Sequence, residues 1–114
     1  MKKFFIYLIS ISLLFFSCSK TKADSKSIAV FVPGIMADSP VYAMLADGVT
    51  KAVESFNESK SDSEKVTLFI FEAGTNQAEW SSKIIALASE QKYDVIISAN
   101  SSLPDLVKPI TQQF

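Results

Sequence analysis

Three short apolar runs punctuate the chain, at residues 27–32, 66–71 and 95–99. Each is too short for a helix and nearly continuous in apolar residues, the pattern of a strand buried on both faces. Between them the apolar residues fall into helical spacing. Over 40–58, Val41, Leu45, Val49, Ala52, Val53 and Phe56 recur at three- and four-residue steps and form one stripe. Ser39 followed by Pro40 predicts an N-cap with proline at the first helical position. Over 77–92 the stripe is Trp80, Ile84, Leu87 and Ala88, with Asn76 or Thr75 as the cap and Trp80 as a core residue. Asp47 with Lys51 and Glu79 with Lys83 are four-step pairs that support these two helices. Residues 100–102 predict a turn, and 103–113 a third helix that Pro109 shortens or kinks.

The order is β-α-β-α-β-α. Buried strands alternating with amphipathic helices imply an α/β fold: a three-layer, doubly wound parallel sheet with strand order 2-1-3. Ligands of such sheets bind beyond the carboxyl ends of the strands. That rule places 33–42, 73–77 and 99–103 along one edge. Three strands are few, and the third would be an apolar edge without a protecting charge or bulge. With the chain closing on Gln112-Gln113-Phe114, it reads as an N-terminal piece of a longer protein.

A fourth apolar run, residues 4–16, differs from the others. It follows Met1-Lys2-Lys3 and ends at Ser17-Cys18. A cationic head, an apolar core shorter than the roughly 20 residues of a membrane span, and a small residue before the cut make an export signal. The cysteine directly after it predicts a lipoprotein: cleavage before Cys18 and a lipid (a diacylglycerol, with palmitate among its acyl chains) on the thiol. Phe15 and Phe16 stand where the usual lipobox has leucine and a small residue. The expected organisation is a signal peptide over 1–17, a flexible tether over 18–26, and a partial N-terminal α/β lobe over 27–114. The expected location is extracytoplasmic, lipid-anchored at a cell membrane, on its periplasmic face or at the cell surface.

Charge and composition then narrow the chemistry. Removing 1–17 takes Lys2 and Lys3 and moves the net charge from −1 to −3. That mild acidity points away from nucleic acid. Cys18 is the single cysteine and there is no histidine. Lipidation of Cys18 leaves no thiol nucleophile, and the commonest general base is absent. The segment 33–40 contains neither a dinucleotide fingerprint nor a P-loop. Acidic residues are scattered singly, so no metal site is expected, and no cofactor is called for. The candidate residues are polar or aromatic groups at the predicted edge: Asp38, Ser39, Tyr42, Asn100 and Ser101. Each has an alternative structural role: Asp38 and Ser39 in capping, Tyr42 in packing against a neighbouring loop, Asn100 and Ser101 in the turn.

Several stretches together resemble one family. They are Phe31-Val32-Pro33-Gly34, Ser39-Pro40-Val41-Tyr42, Leu45-Ala46-Asp47-Gly48-Val49, Asn76-Gln77-Ala78-Glu79-Trp80 and Tyr93-Asp94-Val95-Ile96-Ile97-Ser98-Ala99-Asn100. With the export signal, they are similar to the basic membrane protein family, the purine-nucleoside-receptor-like substrate-binding lipoproteins of ABC transporters. The resemblance implies a type I periplasmic-binding-protein fold, of which this chain would supply part of the first lobe. It further implies capture of a nucleoside-like or sugar-like solute, delivery to an ABC permease, and no enzymatic activity. Many members carry Asp-x-Ser-Phe-Asn after the first strand. The nearest match here is Asp38-Ser39-Pro40-Val41-Tyr42, so Asp38 is the residue carried over, with Tyr42 as a replacement for the stacking ring. The competing expectations are a surface lipoprotein acting as antigen or adhesin, and a nucleoside- or sugar-processing enzyme on the same sheet.

Overall fold

The computed structural model describes residues 25–113. Cys18, the signal at 1–17 and most of the tether at 18–26 lie outside the described residues. The first strand, β1 (Ser27–Val32), is the centre of a three-stranded parallel sheet of order β2-β1-β3. β2 spans Thr67–Glu72 and β3 spans Val95–Ile97. The α/β class, the parallel sense and the strand order therefore agree with the sequence pattern. β1 pairs along its whole length with β2, from Ser27 opposite Thr67 to Val32 opposite Glu72. β3 meets only its middle, from Ile28 opposite Val95 to Val30 opposite Ile97.

Strand alternation sorts the core onto two faces. Ala29 and Phe31 lie beside Phe69, Phe71 and Ile96 in register. The rings of Phe31 and Phe71 stack at 5.8 Å, and those of Phe69 and Tyr93 at 5.7 Å. On this face packs α2 (Trp80–Ser89), which contributes Trp80, Ile84 and Leu87 to the buried cluster. Two short helices, α3 (Leu103–Val107) and α4 (Ile110–Gln113), extend the same cluster with Leu103, Leu106, Val107 and Ile110. The predicted third helix is thus two. Pro109 has no N–H to donate to the carbonyl four residues back, and the helix breaks there. α2 also ends earlier than its periodicity predicts, at Ser89, because Gln91 adopts a left-handed conformation at φ 49°.

The opposite face carries α1 (Pro40–Asn57). Its stripe is only partly covered, which departs from the continuous buried seam expected. Ala46 is the one buried residue of the helix, whereas Val41 and Phe56 are exposed. An apolar groove of ≈ 360 Å³ remains between helix and sheet, lined in part by Ile28, Val49, Val53, Phe56, Val66 and Ile97. The cause is geometric. Among the described residues α1 is the only helix of more than one turn on this face, and it packs chiefly on β1 and β2, leaving Ile97 of β3 on the floor of the groove. β2 and β3 are not buried on both faces: Val95, on the α1 face, is 50% exposed, and Phe69, at the outer strand on the α2 face, is 43% exposed. Only β1, flanked on both edges, buries Ala29, Val30, Phe31 and Val32 completely.

Two polar clamps set the loops at the amino end of the sheet. The Asn57 amide donates to the Val66 carbonyl at 2.9 Å and accepts from the Val66 N–H at 2.8 Å, closing the α1–β2 connection. The Asp94 carboxylate accepts from the Ser27 N–H at 2.7 Å, tying the start of β3 to the start of β1. The Ser27 hydroxyl also donates to the Lys92 carbonyl. The Ser27 N–H, helped by nearby Lys26, holds the Asp94 carboxyl below its ordinary pKa.

Ile84 is 2% exposed, so Ile84→Ala should lower unfolding free energy by about 2–5 kcal/mol in urea titrations. The depressed Asp94 pKa gives a contribution fully present above the unfolded carboxyl pKa of about 4 and lost as pH falls through the lower folded value. Asp94→Asn should therefore be less stable than wild type at pH 7, with the two urea midpoints converging in acid.

Candidate functional site

The carboxyl ends of the three strands open onto one edge, and backbone hydrogen bonds prolong the β1–β2 pairing into it. The Ala73 N–H reaches the Val32 carbonyl at 2.8 Å, and the Gly74 N–H reaches the Gly34 carbonyl at 3.0 Å. Glu72, the last residue of β2, accepts from the Met36 N–H at 2.6 Å and so holds down the β1–α1 loop. That loop forms a single 3-10 turn at Met36–Asp38 before α1 begins. Across the edge, the Trp80 indole N–H donates to the Gly74 carbonyl at 2.8 Å, and Lys83 Nζ donates to the Ala73 carbonyl at 2.7 Å. Lys83 also pairs with Glu79 at 2.6 Å, holding the Glu79 carboxyl below its ordinary pKa. The β2–α2 loop is thereby closed by one core side chain and one salt-bridged lysine.

The residues predicted from sequence separate on this scaffold. Tyr42 and Asn100, 58 positions apart, are brought together: Asn100 Nδ2 donates to the Tyr42 hydroxyl at 3.1 Å. Tyr42 stands in the first turn of α1, and its ring lies against Gly34. Asn100 follows β3 and shapes the predicted turn. Its Oδ1 accepts from the Ser102 N–H at 2.8 Å, and its carbonyl from the Leu103 N–H at 3.1 Å. Ser101 sits exposed in that turn. Asp38 is exposed at the end of the 3-10 turn.

Ser39 corrects an expectation. It occupies the N-cap position, with Pro40 after it, but its side chain makes no capping hydrogen bond. Its backbone donates to the Met36 carbonyl at 3.2 Å and accepts from the Ala43 N–H at 3.0 Å, the first bond of the helix. These bonds do not substitute for a cap, whose hydroxyl would accept from the amides of the first helical turn; the Ser39 side chain makes no bond to them. Asn76 does cap, accepting from the Ala78 N–H at 3.2 Å, but the turn it opens is a 3-10 turn at Gln77–Glu79 rather than α2 itself.

Glu72, Gly34 and Lys83 shape this edge without having been singled out as its residues. Glu72 had a readable signal, as the one acidic residue closing an otherwise apolar strand. The contact of Gly34 with Tyr42 had none, because it depends on how α1 lies over the β1 turn. The apolar groove lies on the α1 face, and none of the candidate residues lines it. A second, polar concavity, lined by Glu54, Asn57, Glu58, Lys60 and Lys65, lies where α1 ends. No group of three or more His, Cys, Asp or Glu able to hold a metal occurs among the described residues.

A family model described as Bmp, ABC transporter substrate-binding protein PnrA-like, matches residues 25–114. The match includes every element of the sheet and the whole of the edge.

Gly34 has φ +154°, and a Cβ there would come within 2.9 Å of Tyr42 Cε2. Gly34→Ala should cost about 1–3 kcal/mol in chemical denaturation. The Gly34→Ala/Tyr42→Ala pair should cost less than the sum of the two single changes, because removing the ring removes the clash.

Proposed function

Given that the chain belongs to the Bmp family of ABC transporter substrate-binding proteins, PnrA-like, we propose that it captures a small nucleoside-like or sugar-like solute and passes it to an ABC permease. The observation that carries this reading is the Tyr42–Asn100 hydrogen bond at the carboxyl edge of a parallel sheet. Open α/β sheets use that edge for ligands. A half-buried aromatic ring held by an amide offers both a flat apolar surface and polar atoms to a ring-shaped solute. Asp38 and Ser39, at the start of α1, and Ser101, beside Asn100, supply further polar groups along the same edge. In this reading Asp38 keeps the acidic position of the family's Asp-x-Ser-Phe-Asn run, and Tyr42 takes over from its aromatic ring.

The same reading makes Cys18 the anchor. An export signal over 1–17 and a polar tether over 18–26 would leave the lobe held to the membrane by lipid, on the extracytoplasmic side, within reach of the permease.

Solute capture predicts a thermal shift for the full chain. A nucleoside or sugar present at a hundred times its Kd should stabilise the protein by about 2.7 kcal/mol. Absence of any shift across purine nucleosides, pyrimidine nucleosides and common monosaccharides would count against capture. The anchor predicts that cells fed labelled palmitate incorporate it into the wild-type protein. Cys18→Ala should abolish both the label and recovery in the membrane fraction; a Cys18→Ala protein that keeps the label would refute the anchor.

A further inference from the structure

The hydrogen bonds around Asn100 determine which way round its amide sits. A backbone N–H only donates, and the Ser102 N–H meets Asn100 Oδ1 at 2.8 Å. A flipped amide would set one donor against another. The NH₂ end of the amide, which also only donates, therefore faces the Tyr42 hydroxyl at 3.1 Å. In this contact Tyr42 is the acceptor. Its own O–H proton is left over, and no acceptor among the described residues takes it. The ring has little freedom to turn away, because it rests on Gly34.

We infer that Tyr42 presents its hydroxyl proton outward at the carboxyl edge, and that Asn100 is the positioning residue that sets this polarity. The solute then meets Tyr42 with a hydrogen-bond acceptor: a hydroxyl or carbonyl oxygen, or a pyridine-type ring nitrogen. Solutes that only donate, such as protonated polyamines, are disfavoured there, since donor would face donor. This inference rests on the capture reading above and adds to it the chemistry of one contact.

The test combines a vibrational readout with binding, both on the full chain. The Raman difference between wild type and Tyr42→Phe isolates the Fermi doublet of Tyr42, whose intensity ratio reports whether the hydroxyl accepts or donates. Without solute it should report a hydroxyl that accepts from Asn100 while it donates to water, rather than one that only donates. Asn100→Asp replaces the amide donor by a carboxylate, and should turn the doublet to the donor-only pattern. Binding is measured with inosine and D-ribose as acceptor-bearing probes and putrescine as a donor-only probe. At least one of the first two should bind. Tyr42→Phe, which keeps the ring on Gly34, should weaken that binding by roughly three- to tenfold when measured well below the melting temperature of both proteins, and Asn100→Asp should weaken it as well.

A donor-only doublet in the unliganded wild type would overturn the inference. So would equal binding by wild type and Tyr42→Phe, or a preference for putrescine; each of these leaves solute capture standing. If wild type binds none of the probes while the doublet reports an acceptor, the capture reading falls and takes the solute assignment with it.

Discussion

Complete burial of β1 is the constraint on which the rest of the structure depends. Ala29, Val30, Phe31 and Val32 are fully removed from solvent, so every backbone donor and acceptor in this strand must find a partner within the protein. Flanking strands on both sides meet that demand, and the parallel sense requires helical crossovers to bring them there. Placing β1 in the middle puts the first crossover, α1, on one face and the second, α2, on the other. It also brings all three carboxyl ends to the same edge. The location of the candidate site is thus a consequence of satisfying one strand.

The two faces are stabilised unequally. On the α2 side, Trp80, Ile84 and Leu87 close over Ala29 and Phe31, and α3 and α4 add further apolar side chains. On the α1 side, Val30 and Val32 are buried but the helix leaves a groove toward β3. The ion pairs do not redress this. Asp47–Lys51 and Asp62–Lys65 are largely exposed, and solvent screening leaves such pairs little net contribution. The more consequential polar interactions join distant segments through the backbone: Asp94 to Ser27, Glu72 to Met36, and Asn57 to Val66. Each orders a connection that the apolar core does not reach.

Much of the fold was legible because burial and periodicity are properties of consecutive residues. The strands begin within one residue of their apolar runs, and proline marked both the start of α1 and the break after α3. Legibility fell where a residue's role depends on something remote. The stripe of α1 predicted a seam, but whether it is covered depends on how many neighbours the sheet places above it. Ser39 has the right identity and position for a cap, yet its hydroxyl makes no bond to the first turn of α1, and side-chain orientation is not written in residue type and position. Tyr42 and Asn100 were readable as polar or aromatic groups at one edge, but nothing local paired them.

The sequence by itself determined the alternation of elements, the parallel sheet of order 2-1-3 and the edge to which polar residues come, because each follows from local hydrophobic pattern and chain connectivity. Tertiary structure alone decided that Tyr42 rests on Gly34, that Asn100 reaches across to its hydroxyl, and that Glu72 pins the loop between β1 and α1. Those contacts join residues between 8 and 58 positions apart. They depend on how helix and strand orient in three dimensions, and no periodicity along the chain encodes a distance across it.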